Sequence, residues 1–186
     1  ITQLGRLFTC YGSMLGQTCG IADVLLTPEA DAKRSELVEL ADGLCIGAVH
    51  KWLPRADMGT PEGLREAMRK KMLEADTDHG PELDGAVKAV MMPHASKIAA
   101  ACLPGGQLKP FPRNQFALMT VTGAKGSIVN FSQISAMLGQ QELEGRRVPL
   151  SPSGCTAPCF APYDLTARAG GYITDRFLTG VRPPEF

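Results

Sequence analysis

The chain has 186 residues, 44% hydrophobic and 20% charged, with nineteen basic residues set against nineteen acidic ones. That length is enough to bury a real core, and the composition belongs neither to a disordered tail nor to a membrane protein. Balanced charge excludes a broad nucleic-acid platform, which needs a basic excess to neutralise phosphates, so any phosphate contact must be local.

The opening ITQLGRLF lacks the basic-then-apolar order of a secretory leader, and no apolar run approaches a bilayer span. Leu4, Leu7, Phe8, Tyr11, Leu15 and Cys19 fall at helical spacing, with Gly20 as the stop. TPEADAKRSELVELADG predicts a second helix: Thr27 caps it, Pro28 suits its first position, and Glu29 complements the positive end. Leu37, Leu40 and Leu44 would form its buried stripe. VHKWLPRADMGT, which holds the only tryptophan, reads as a loop. A second Thr-Pro-Glu start at Thr60 opens a helix with Leu64, Met68 and Met72 on one face. A methionine stripe at that spacing suits a core better than a promiscuous groove. Pro81 opens the longest helical pattern, Leu83, Val87, Val90, Met91, His94, Ile98 and Cys102, and Pro93 inside it predicts a kink or a break.

CLPGGQLKPFPRN is a connector, rich in proline and glycine. It divides the chain into a helical part over residues 1–103, a linker over 104–113 and a further segment over 114–186. Asn114 caps a short helix through Thr122 that Gly123 ends, and Asn130 reads as the cap of another, carrying Ile134 and Leu138 up to Gly139. From Glu142 the text turns extended, residues 166–180 are weakly helical, and RPPEF looks like the first turn of a new helix, as in a fragment. The fold class is therefore mainly α, a helix hairpin plus short helices, with extended, irregular segments after residue 142.

No stretch supplies a complete active site. GAKGS at residues 123–127 has its lysine before the second glycine, unlike a phosphate-cradling P-loop, and no strand runs into it. There is no nucleophile elbow and no carboxylate cluster for two-metal chemistry; DTDHG, residues 76–80, comes nearest and reads as the loop at a helix end. Six cysteines without a C-x-x-C pair, and three scattered histidines, argue against a metal site and for reduced, mostly buried thiols. The residues alone leave open a stand-alone helical interaction module using the Met68 and Met72 face, or a small nucleotide-binding module around Lys125.

GAKGSIVNFSQISAMLGQQELEGRR, LEGRRVPL, PCFAPYDLTARAGGY and FLTGVRPPEF closely resemble the largest subunit of eukaryotic multisubunit RNA polymerases. The matching part is the funnel just before the bridge helix, and the class I enzyme, which transcribes ribosomal RNA genes, is the most similar. LGRLFTCYGSMLGQTCGIADVLLT and IAAACLPGG share the likeness, which is weakest over residues 35–90. The resemblance implies a nucleotidyltransferase subunit in the nucleus and nucleolus, with this segment lining the secondary channel through which triphosphates enter and backtracked RNA leaves. It implies no cofactor on this segment, Mg2+ and zinc being held elsewhere in the holoenzyme, and no activity from the segment alone. Implied partners are the other polymerase subunits, including a zinc-ribbon cleavage subunit, with transient contact to triphosphate and the RNA 3' end. DNA is met only through the holoenzyme, and no membrane is involved.

The resemblance carries residue roles as well. Lys125, with Ser127 and Asn130, matches the inner end of the pore, where a lysine meets phosphates in passing. Gln140, Gln141 and Gly145 match the pocket beneath the bridge helix that binds a mushroom cyclic-peptide toxin in the class II enzyme, and Gln133 belongs with them. Glu142 departs from the serine of that class, and Cys155 stands where relatives have a basic residue. Glutamines donate and accept without fixing charge, so Gln133, Gln140 and Gln141 suit backbone contacts to a neighbouring helix. Arg146 and Arg147 suit either phosphates or docking carboxylates.

Overall fold

The computed structural model describes residues 1–53, 60–74 and 78–186. Among the described residues seven α-helices carry the fold: α1 (Thr2–Leu15), α2 (Pro28–Glu39), α3 (Ala41–Trp52), α4 (Pro61–Met72), α5 (Gly80–Cys102), α6 (Gln115–Val121) and α7 (Ile128–Ser135). Two short antiparallel strands follow, β1 (Gly139–Gln140) and β2 (Tyr172–Ile173), with Gly139 opposite Ile173 and Gln140 opposite Tyr172. The mainly helical class read from the sequence holds.

Local chemistry starts most of these helices where the sequence places them. The Thr27, Thr60 and Asn114 side chains accept the N–H groups of Ala30, Gly63 and Ala117 at 3.3, 3.2 and 2.8 Å. Each satisfies one orphan donor of a first turn, worth about 1 kcal/mol. α7 differs from expectation. Ser127, not Asn130, is its cap: the Ser127 backbone is extended and its hydroxyl accepts the Asn130 N–H at 3.3 Å. Leu138 lies beyond the helix end, and Phe131 and Ser135 are its buried residues. Likewise α1 stops at Leu15, on a left-handed Gly16, four residues before Gly20. Its apolar stripe is correct in register, yet no residue of α1 is buried.

The stripe expected at Leu37, Leu40 and Leu44 is broken after its first member. The Leu37 carbonyl accepts from Leu40 N at 3.2 Å and from the His94 ring at 2.9 Å, so it is not free to continue α2 into the next turn. The chain restarts as α3, rotated, and Ala41, Cys45, Ala48 and Val49 face the core while Leu40 and Leu44 stay exposed. α3 runs on through His50, Lys51 and Trp52, which the sequence assigns to a loop; the remainder of that loop, residues 54–59, lies outside the described residues.

α5 is the axis of the molecule. It continues unbroken through Pro93, where a break was open, and buries Leu83, Val87, Met91, His94, Ile98 and Cys102. The proline removes one intrahelical bond, but buried Met91 and His94 flank it and hold the turn in place. α3 packs on this helix through Cys45 and Val49, and Leu64 and Met68 of α4 join the same core, so the methionine face is core and not a free docking surface. Met137, Leu165, Ala167 and Tyr172 complete the same core from beyond the connector. Full burial of each such large side chain contributes about 1.5–3 kcal/mol.

A smaller cluster, Cys102, Leu103, Ala117, Phe131 and Ala136, seats α6 and α7 against the end of α5, with the Phe116 and Phe131 rings 4.7 Å apart. Buried Asp23 anchors this region. Its carboxylate accepts the Gly20 and Gln115 N–H groups at 2.9 and 3.2 Å and meets Lys109 at 3.0 Å. Burial works to raise its pKa, but those bonds and Lys109 hold it below the usual carboxylate value.

Two further expectations change. Residues 166–180 form turns and β2 instead of a weak helix, with Tyr172 N donating to Ala167 O and Gly171 N to Arg168 O. The cysteines are free thiols, but only Cys45 and Cys102 are buried. At the end of RPPEF, Phe186 N donates to Arg182 O at 3.0 Å, a helix-like turn.

Candidate functional site

The strip of residues 139–148 is held from two sides. On one side Gln141 N donates to Gly171 O and the Gln140 amide to Gly170 O, both at 2.8 Å. The approach is close enough that a Cβ on Gly170 would lie 2.4 Å from Arg147 Nη1, and one on Gly171 2.8 Å from Val148 Cγ2. Gly171, which also has a positive φ, excludes a side chain, while a Cβ at Gly170 would push the Arg147 guanidinium aside. The Gln140 amide also reaches Gln141 O at 3.0 Å, and the Gln141 amide reaches Gly139 O at 3.4 Å. Both glutamine amides thus bond local backbone.

After β1 the strip folds back tightly, not extended as expected. Leu143 and Arg146 exchange backbone bonds of 2.9 and 3.0 Å around Glu144 and Gly145, both with positive φ (53° and 78°). This is the turn geometry that closes a two-residue hairpin.

On the other side stands α5, through two residues one helical turn apart. Lys88 Nζ donates to Gly145 O at 2.7 Å and pairs with Glu142 at 2.8 Å. Asp84 accepts the Arg147 backbone N–H at 3.2 Å and its Nε at 2.8 Å. The Asp84 and Arg147 side chains are only 17% and 10% exposed, which makes this a largely desolvated pair. Arg146 meets Asp78 at 3.3 Å with both side chains mostly in solvent, a contact worth little. Behind the strip a cavity of about 440 Å³ is floored by Cys45, Val49, Met68 and Leu83 and edged by Asp84 and Arg147. Burial pushes the Cys45 thiol up, partly countered by the Arg147 charge beside it.

Lys125 and Ser127 lie elsewhere, in the exposed turn from α6 into α7, with Asn130 in the first turn of α7. Ala124 N and Lys125 N both donate to Met119 O, at 3.0 and 3.3 Å, and the Ser127 hydroxyl is committed to Asn130 N. Backbone donors turned inward cannot form a phosphate cradle. The Lys125 ammonium has no hydrogen-bond or ion partner among the described residues. Gln133 lies between the two groups, on an apolar groove of about 500 Å³ bounded by Ala95, Ala99, Val129, Met137 and Gly139. The groove reaches the strip at Gly139. No hydrogen bond or ion pair among the described residues joins Lys125, Ser127 or Asn130 to the strip.

Asp84 and Lys88 were not singled out by sequence; Asp78 was noted only within the DTDHG loop, and Gly170 and Gly171 only as breaks in a weak helix. Asp84 and Lys88 carry an i,i+4 signal, but it is that of an ordinary solvated helix edge. Within DTDHG, Asp78 pairs with Arg146 and His79 lies between Glu74 and Glu82, while residues 76 and 77 are outside the described residues. Among the described residues no group of three or more His, Cys, Asp or Glu side chains is placed to hold a metal ion.

Residues 64–173 match the family model "RNA polymerase Rpb1, domain 4", which covers more than half the chain. The chain belongs to that family. Across its whole length the domain 4 chain is 46% identical to "DNA-directed RNA polymerase I subunit rpa1" of Dictyostelium discoideum and 42% identical to the protein of that name in Schizosaccharomyces pombe. It is 37% identical to "DNA-directed RNA polymerase I subunit RPA190" of Saccharomyces cerevisiae. It spans 11% of the length of each of these relatives. The likeness to the class I largest subunit read from the sequence is borne out, and the alignments run through residues 35–90 as well. The domain 4 match takes in the strip, the Lys125 turn and both α5 anchors.

Proposed function

We propose that this chain is a wall of the secondary channel in the largest subunit of a class I DNA-directed RNA polymerase, acting in ribosomal RNA synthesis in the nucleus and nucleolus. The observation that carries the reading is similarity, along all 186 residues, to largest subunits named for RNA polymerase I. In this reading the apolar groove beside Gln133 seats the bridge helix, and the locked strip of Gln140, Gln141 and Gly145 supports it from below. Lys125, with Ser127 and Asn130 around it, faces the pore, and its unpaired ammonium meets triphosphates and backtracked RNA in passing. The Mg2+ of nucleotidyl transfer and the structural zinc belong to other parts of the enzyme. Neighbouring subunits, a zinc-ribbon cleavage subunit among them, dock on the outer faces, and DNA is reached through the holoenzyme.

One exposed cation against a phosphate contributes about 0.2–1 kcal/mol, which corresponds to a change of up to about fivefold. Lys125→Ala in the assembled polymerase is therefore expected to raise KM for nucleoside triphosphates by about two- to fivefold with kcat little changed, and Lys125→Arg to restore it. An unchanged KM across ionic strengths would refute the role.

A further inference from the structure

We propose that Asp84 and Lys88 of α5 are positioning residues for nucleotide addition, acting through the strip that carries Gln140, Gln141 and Gly145. The proposal rests on the channel-wall reading above and deepens it. Three observations carry it.

First, the two side chains grip neighbouring points of the same strip. Lys88 takes the Gly145 carbonyl and the Glu142 carboxylate, and Asp84 takes the Arg147 backbone and guanidinium. One turn of helix thus registers the hairpin in two places, which fixes its rotation as well as its distance. Second, Glu144 is a non-glycine residue at positive φ, a local cost that contacts made to the hairpin from outside help to offset. Third, the same helix that grips the strip lines the apolar groove with its later residues Ala95 and Ala99. The seat for a neighbouring helix and the strip beneath it therefore share one rigid rod. A shift of the strip against α5 changes the height of Gln140 and Gln141 relative to that groove.

Lys88 and Glu142 are 25% and 30% exposed, open enough to be exchanged without burying an unpaired charge. That makes them the testable half of the clamp. In the assembled class I polymerase, Lys88→Ala and Glu142→Ala are each expected to slow elongation at saturating triphosphate by about three- to tenfold with KM for triphosphate unchanged, since binding energy is lost only where the strip must be held in the reacting state. The double variant is expected to be no slower than the slower single, and Lys88→Arg to stay near the wild-type rate. Arg69→Ala, from the exposed Arg69–Glu66 pair, serves as the surface control. Wild-type elongation rates in both single variants, or rates that fall only in step with thermal stability and fall equally in Lys88→Arg, would overturn the proposal. Lys125→Ala and Gln141→Ala measured alongside keep two failures apart. If they alter the kinetics and the Lys88 set does not, only the positioning role fails; if none does, the channel-wall reading fails with it.

Discussion

Removing the Asp84 carboxylate tests whether the strip is fastened to α5 as the geometry requires. Asp84→Ala deletes the acceptor of two bonds, one from Arg147 N at 3.2 Å and one from Arg147 Nε at 2.8 Å. Bonds to a charged acceptor are worth about 1.5–3 kcal/mol each, and breaking a buried pair from one side costs about 3–5 kcal/mol because the other charge stays behind. Arg147 is only 10% exposed, but the cavity beside it lets the freed guanidinium recover some solvent, so the lower end applies. We expect a loss of about 3 kcal/mol, or about 6–12 °C in Tm for a chain of this size. The assay is urea unfolding of the 186-residue chain, with Arg147→Met and the double variant completing a cycle. The double variant removes both charges and leaves an apolar pair, so its loss should be smaller than that of Asp84→Ala alone, with a coupling of at least about 1.5 kcal/mol. A loss below about 1 kcal/mol for Asp84→Ala, or strictly additive variants, would refute the reasoning.

His94 sets a pH dependence. Its Nε2–H donates to Leu37 O at 2.9 Å, leaving Nδ1 to accept from the Tyr172 hydroxyl at 3.1 Å, and burial depresses its pKa below the ordinary 6.5. Below 6.5 the unfolded chain binds the proton more readily, so His94 contributes stability above that pH and loses it as pH falls through the folded value. Urea midpoints should drop between pH 7.5 and 5.0 more steeply in the wild type than in His94→Gln, and parallel slopes would count against this; Asp23, depressed below 3.8, titrates outside that window. Gly106→Ala should cost about 2–3 kcal/mol, because the added Cβ would lie 2.6 Å from Ala30 Cβ and 2.8 Å from the Ala101 and Cys102 carbonyls, which cannot move aside; a Tm within about 2 °C of wild type would contradict the close approach.

What was legible in the sequence was set by neighbours along the chain. The caps at Thr27, Thr60 and Asn114, the stripe of α5 and the core role of Met68 follow from local hydrogen bonding and helical period. The missed cap of α7 shows the limit of that logic. Ser127 and Asn130 are both good capping residues three positions apart, and the choice falls to Ser127 because its own backbone is extended, after the left-handed Gly126, while Asn130 is already helical. The break at Leu40 has a distant cause, the His94 ring 57 residues away in sequence, and no window over α2 contains it. The candidate site is less legible still. Arg146 and Arg147 find their carboxylates 68 and 63 residues away, so their identity as basic residues was visible and their partners were not. Resemblance located the strip and the turn, but Asp84 and Lys88, in the stretch of weakest likeness, emerge only from the fold.

Under the proposed channel-wall reading, the division of charge between the two groups would let one surface be both rigid and receptive. Lys88 and Arg147 have carboxylate partners and backbone contacts, so their charges are spent within the chain on holding the hairpin, and Arg146 shares its charge with Asp78 at the rim. Lys125 is exposed without such a partner among the described residues, at the tip of a turn whose backbone donors already point to Met119. A site meant to retain a phosphate would pool several donors, as helix N-termini and glycine-rich cradles do. A single solvated ammonium gives about one counterion of salt dependence and a contact weak enough to release at once. If the chain is the channel wall proposed above, a passage that hands every triphosphate onward calls for that second arrangement.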